Sequence, residues 1–179
     1  MRKNKNGWKT LSSKIVHKNP FYKIQKDDLI FPDGSNGQYF TIKKGPAVFI
    51  VPVVSNKIVF AKQYRYVFND WFLELPGGGV GDDLISEAAL RELKEEVGYE
   101  AGNIKNVGRF TSVNGLMDEE VHVFVAEDLN KVGQKLESAE EGMKVVEIEI
   151  AKAYQMIEDG DIKDGQTISA LMLAKKHIT

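Results

Sequence analysis

The sequence contains no cysteine. That absence excludes a disulfide framework, a thiolate metal centre and a cysteine nucleophile. Histidine is nearly as scarce: His17, His122 and His177 are scattered, and no Gly-x-Ser-x-Gly elbow accompanies them, so a serine-hydrolase triad lacks its parts. Neither sign of charge dominates. With 24 Lys and Arg against 26 Asp and Glu, the formal charge is −2. There is no basic footprint for nucleic acid or for an anionic membrane, and RNA is disfavoured as a substrate. The longest strongly apolar run, Ala47 to Val54, is far too short to span a bilayer. The polar and basic start, Met1 to Thr10, has no apolar stretch of the kind a secretory signal needs. These absences predict a cytoplasmic protein with small, soluble partners. At 179 residues the chain can build one well-buried core plus an accessory element, and it shows no internal repeat.

Before Pro46, the segments Lys14 to His17, Tyr22 to Ile30 and Tyr39 to Ile42 carry β-branched and aromatic residues. Turn chemistry at Asn19-Pro20 and Pro32-Asp33-Gly34 separates them, which predicts a small antiparallel sheet. Two apolar runs follow Lys44-Gly45-Pro46, at Ala47 to Val54 and Ile58 to Gln63, joined through Ser55-Asn56-Lys57 like a hairpin. After Gly77-Gly78-Gly79 the spacing becomes helical, with Ile85, Ala89, Leu93 and Val97 recurring every four residues and Gly98 as the stop. Strands are expected at Val107 to Val113, Val121 to Ala126 and Val145 to Ile150, and helices at Ala151 to Ile157 and Thr167 to His177. No regular βαβ rhythm emerges, so the expected class is α+β with a mixed sheet. The division falls at residue 46: an N-terminal sheet over 1–46 and a main domain over 47–179.

On the helix, a step of roughly 100° per residue puts Glu96 about 40° to one side of Glu92 and Glu95 about 60° to the other. Three carboxylates share a face beside the apolar stripe. Like charges four apart repel by about 0.2–0.5 kcal/mol when solvated, and more when partly buried. An isolated Glu-Glu pair usually decorates a solvated helix. Here a glycine-rich segment feeds the same helix, and backbone amides with a helix N-terminus favour anions. Oxygen-only ligation suits Mg²⁺, which also contacts phosphate and water.

Gly77, Arg91-Glu92-Leu93 and Glu95-Glu96-Val97-Gly98-Tyr99 together resemble the Nudix box: glycine, five residues, glutamate, seven residues, then Arg-Glu-apolar-any-Glu-Glu-any-Gly-apolar. Asp83 stands where that pattern has its first glutamate. Upstream, Gln63-Tyr64-Arg65, Trp71 and Glu74-Leu75-Pro76-Gly77 resemble the run preceding the box in ADP-ribose and sugar-nucleotide pyrophosphatases.

The resemblance implies a mixed-sheet α/β/α Nudix sandwich, with the N-terminal sheet helping to form a homodimer. It implies Mg²⁺ as cofactor, with Mn²⁺ as a substitute, held by Glu92 and Glu96 with help from Glu95. Gly77 or Pro76 would supply a backbone carbonyl, and Arg91 would hold a glutamate, Glu95 above all. Arg65 would reach the substrate diphosphate; Glu74 would touch the metal shell or substrate, or cap the loop. A further acid after the box corresponds to Glu141, then Glu140, within Ser138-Ala139-Glu140-Glu141-Gly142. The segment Asn114 to Glu119 is similar to a substrate loop, with Glu119 at its acidic end, although Asn114 replaces a proline frequent in ADP-ribose-specific members. Trp8, Trp71, Phe40 and Tyr66 are candidates to stack on a base or to sit in the core.

The implied reaction is hydrolysis of a nucleoside diphosphate linked to another group, ADP-ribose or another sugar nucleotide first. The products would be a nucleoside monophosphate and a sugar phosphate. Dinucleoside polyphosphates and nucleoside triphosphates are the alternative substrates, and a nucleotide-binding module without hydrolysis is the alternative of another class.

Overall fold

The structure is a computed structural model that describes residues 5–136 and 138–178. The first four residues of the basic start lie outside the described residues. The chain divides into two compact units. One comprises residues up to Gly45 together with Thr111–Glu119; the other comprises Pro46–Phe110 and Glu120 onward.

The first unit is an antiparallel sheet of β1 (Lys9–Lys18), β2 (Lys23–Ile30) and β3 (Asn36–Lys43), in that order. Asn19 turns the first corner, its Oδ1 accepting the N–H groups of Phe21 and Tyr22 at 2.9 Å each. The stretch 111–119 is tied to β3: Ile42 N–H donates to the Leu116 carbonyl at 2.9 Å and Asp118 N–H donates to the Ile42 carbonyl at 3.2 Å. Trp8 packs edge-on against Phe31 with ring centres 4.9 Å apart. Leu29 is buried, whereas Leu11, Ile15, Val16, Phe21 and Phe40 are exposed.

In the second unit, β4 (Ala47–Val54), β5 (Lys57–Arg65), β6 (Asp70–Glu74), β7 (Gly77–Gly79), β8 (Tyr99–Thr111), β9 (Glu120–Lys131) and β10 (Lys144–Glu149) form one seven-stranded sheet. Its main path runs β10-β5-β4-β9-β8, with β6 paired to β5 and β7 to β4. The β4–β9 pair is parallel and the other registered pairs are antiparallel, so the sheet is mixed. Helices α1 (Ile85–Val97), α2 (Ile150–Glu158) and α3 (Gly165–Ile178) complete the unit. Among the described residues no helix is long and apolar enough to cross a membrane.

The apolar run of β4 has a direct explanation. Ala47, Phe49 and Val51 enter a cluster with Ala153, Ala170, Leu171 and Ala174 of α2 and α3, while Val48 and Ile50 enter a second cluster with Ala88, Ala89, Leu93 and Val97 of α1. A strand covered on both faces needs apolar residues at every position instead of alternate ones. Helices on both faces make the α/β/α sandwich.

Helix α1 ends where expected. Gly98 adopts φ +72°, its N–H bonds back to Lys94, and Val132 and Gly133 both donate to its carbonyl. A side chain there would strike the Gly133 backbone at 2.7 Å. At the start, Glu87 reaches back to the Leu84 N–H at 3.3 Å.

Candidate active site

Glu92 and Glu96 are buried on α1, and Glu95 is intermediate between them and solvent. This is the shared face expected from the wheel. One residue arranges it. Arg91 Nη1 donates to Glu92 Oε1 at 2.7 Å and to Glu95 Oε2 at 3.1 Å; its Nε donates to Asp83 Oδ2 at 2.9 Å and its Nη2 to the Gly79 carbonyl at 3.1 Å. Arg91 therefore fixes two acids, and the shorter Asp83 still reaches it as an anchor. The surrounding carboxylates raise the pKa of Arg91 further, Asp83 first among them.

The three glycines form strand β7, where the spacing had suggested only a glycine-rich lead into the helix. Ile50 N–H donates to the Pro76 carbonyl and Val80 N–H to the Pro46 carbonyl, at 2.9 and 3.1 Å. In an antiparallel ladder the intervening odd positions then point away from β4. Gly77 N–H accordingly donates to Glu96 Oε2 at 2.8 Å, and the Gly79 carbonyl faces Arg91. The Pro76 carbonyl is engaged by Ile50, so of the two candidate carbonyls Gly77 has the one on the Glu96 side. Glycine is required here by close approach: a Cβ on Gly77 would collide with the Val48 carbonyl oxygen, and one on Gly78 would lie 2.5 Å from Glu92 Oε1.

Across the cleft, buried Glu74 accepts from Arg65 Nε at 2.7 Å, from Arg65 Nη2, and from Gln63 Nε2 at 3.3 Å. Two of the three guanidinium nitrogens of Arg65 are thereby engaged, and the side chain still lines the cleft. The cavity is about 710 Å³ and is bounded by the Tyr64–Phe68 segment, β7, the α1 acids and Glu140. Glu140 closes a short 3-10 turn, Ser138–Glu140. Glu141, ranked first from the sequence, is exposed and does not line the cavity. Glu119 is buried in the first unit, where Lys44 Nζ lies 2.6 Å from its Oε1. Of the aromatic candidates, Tyr66 lines the cavity, Trp71 packs against Tyr64 and Trp8 against Phe31, while Phe40 is exposed in the first unit.

Burial raises the pKa of Glu96 to about 8, with Glu92 and Glu140 adding repulsion. Burial likewise raises that of Glu92. Burial outweighs the lowering effect of Arg91 on Glu92 and of the Gly77 amide and Arg65 on Glu96. Among the described residues no three acidic or imidazole side chains converge as a ready-made metal cage. Glu92, Glu95 and Glu96 each commit one oxygen to a protein donor and leave the second uncommitted. That donor set fits a hard divalent ion completed by water and phosphate oxygens.

A mixed sheet between helices, with a glycine strand facing a glutamate-bearing helix, is the arrangement that the resemblance to the Nudix box implies. The comparisons with known proteins agree: the NUDIX domain model matches residues 43–169, and the nucleoside diphosphate sugar hydrolase N-terminal domain model matches residues 8–42. The chain belongs to the Nudix hydrolase family. It is 30% identical to the ADP-ribose pyrophosphatase of Bacillus subtilis (strain 168), covering 91% of this chain and 90% of that protein. It is also 30% identical to the methanol dehydrogenase activator of Bacillus methanolicus, again over 91% and 90%. A crystal structure of an ADP compounds hydrolase shares the fold with a TM-score of 0.85 at 24% identity, covering 98% of this chain and 96% of that one.

Proposed function

We propose that the enzyme hydrolyses the diphosphate bond of a nucleoside diphosphate sugar, ADP-ribose being the leading candidate, with Mg²⁺ as cofactor and Mn²⁺ able to replace it. The products are a nucleoside monophosphate and a sugar phosphate. The observation that carries the reading is the α1 acid cluster, braced by Arg91 and Gly77 at the edge of one cleft.

Glu92, Glu95, Glu96 and the Gly77 carbonyl are the groups that would hold the ion. Bound there, a divalent cation lowers the pKa of the attacking water and offsets phosphate charge. Arg91 keeps Glu92 and Glu95 oriented, a positioning role. Arg65, steadied by Glu74, presents its remaining nitrogen to the diphosphate. Of the two acids considered after the box, Glu140 lines the cleft and Glu141 does not, which supports Glu140 as the group that takes the proton from water.

The substrate is a small molecule, and neither nucleic acid nor membrane enters the proposal. The N-terminal sheet, residues 1–46, is assigned as a dimerisation element and residues 47–179 as the catalytic domain, acting in the cytoplasm.

A panel of sugar nucleotides, dinucleoside polyphosphates and nucleoside triphosphates, incubated with Mg²⁺ and resolved by chromatography, tests the assignment. Sugar nucleotides should be cut preferentially. Glu96→Gln should lower kcat at least about a hundredfold while the protein stays folded. Near-normal turnover by that variant would remove the site assignment.

A further inference from the structure

The segment from Glu74 to Gly77 is pinned at every residue. Arg65 and Gln63 hold the Glu74 carboxylate, Ile50 holds the Pro76 carbonyl, and Glu96 holds the Gly77 amide. The remaining anchor comes from a distant part of the chain: Leu75 N–H donates to Thr167 Oγ1 at 3.1 Å. Leu75 and Thr167 are both buried.

Thr167 is itself fixed. It lies in the first turn of α3, and its N–H donates to Asp164 Oδ2 at 2.7 Å, so Asp164 caps the helix and orients the turn that carries the hydroxyl. We infer that Thr167 is a positioning residue for metal binding: its hydroxyl, through the Leu75 amide, sets where β7 presents Gly77 beside Glu96. This rests on the metal-site reading above.

The physical argument concerns what the amide would do without its acceptor. A buried N–H does not stay unpaired, so Leu75 would shift to find another partner. Leu75 is joined to Gly77 through one residue, Pro76, whose ring fixes φ and transmits such a shift. The Gly77 amide would then move off Glu96, and its carbonyl with it. A purely packing role for Thr167 would instead be satisfied by valine, which has the same shape without the hydroxyl.

The experiment measures Mn²⁺ binding by electron paramagnetic resonance, without substrate, beside thermal melting. Wild type, Thr167→Val, Thr167→Ser and Tyr154→Phe are compared. Tyr154→Phe removes the hydroxyl that donates to the Leu171 carbonyl, also on α3, at 2.8 Å, and so loosens the same helix away from Leu75. Thr167→Val should weaken Mn²⁺ binding on the order of tenfold. Thr167→Ser should restore it, and Tyr154→Phe should lower the melting temperature with binding unchanged. Wild-type affinity in a folded Thr167→Val protein overturns the inference, as does equal weakening in Tyr154→Phe. Should Thr167→Val not fold, failure of Thr167→Ser to match wild-type affinity overturns it. Absence of Mn²⁺ binding by the wild type overturns the metal-site reading itself.

Discussion

At Arg91 a single guanidinium meets Asp83, Glu92, Glu95 and the Gly79 carbonyl, so its removal frees three acids and a strand end at once. Arg91→Ala should lower kcat by about ten- to a hundredfold, as losses of groups that orient metal ligands do. Arg91→Lys should not rescue it, because an ammonium lacks the planar fork. Steady-state kinetics at saturating Mg²⁺ checks both. Glu96 gives a pH prediction. Its pKa is pushed up to about 8 in the folded protein from an ordinary 4.5, so between those values the native state binds more protons than the unfolded state. Stability without metal should therefore fall as pH rises through that window. Metal binding expels the proton and should tighten with pH, by up to about tenfold per unit. Thermal melts at pH 6 and pH 8 test this: the metal-free midpoint should drop, and the gain on adding Mg²⁺ should be larger at pH 8. A third expectation separates neighbouring glycines. Gly78→Ala forces a methyl to within 2.5 Å of Glu92 Oε1 and should cripple turnover, whereas a methyl on Gly79 meets nothing within 4 Å and should leave activity within about twofold. Equal effects in the two variants would refute the close-approach argument.

Among the elements, legibility in the sequence followed how far each one's pattern was set by its own face. The α1 stripe, its glycine stop and the shared acid face were plain because a helix with one buried side repeats every turn. The unbroken apolar stretch of β4 was plain as a strand, although only the structure shows that two helical layers cover it. Strand β7 was invisible, since three glycines have no strand preference; pairing with β4 makes it a strand, and at Gly77 and Gly78 there is no room for a Cβ. Strand β8 starts at Tyr99, well before the expected Val107, because Gly102, Asn103, Asn106 and Gly108 look like breakers yet are tolerated on the edge of a sheet. Strand β6 is short and half exposed and was noticed only through Trp71 and Glu74. In the site, the choice between Glu140 and Glu141 depends on the path of a short turn, which adjacent identical residues cannot signal. Thr167 carried no signal at all, because its partner is a backbone amide 92 positions away.

For the molecule as a whole, residues 111–119 belong with the N-terminal sheet, which the division at residue 46 did not foresee. Among its described residues that unit leaves Leu11, Ile15, Val16, Phe21 and Phe40 exposed and buries little but Leu29 of its apolar side chains. Three strands with so small a core are marginal by themselves. The dimer proposal predicts about twice the monomer mass in light scattering, and replacing Ile15 and Phe40 by polar residues should shift the population toward monomer. A monomer in wild type at working concentration would dismiss the proposal.

The pairing of both cleft guanidiniums with protein carboxylates reaches beyond architecture. Arg65 answers to Glu74 and Arg91 to its own acids, while Glu140 adds one more negative wall. A doubly anionic visitor arriving alone meets four carboxyl groups on the cleft wall, with one spare nitrogen of Arg65 to draw it in. The proposed metal site therefore predicts that admission depends on a cationic escort: in chelator the intact substrate should pass through an equilibrium dialysis chamber as though the protein were absent.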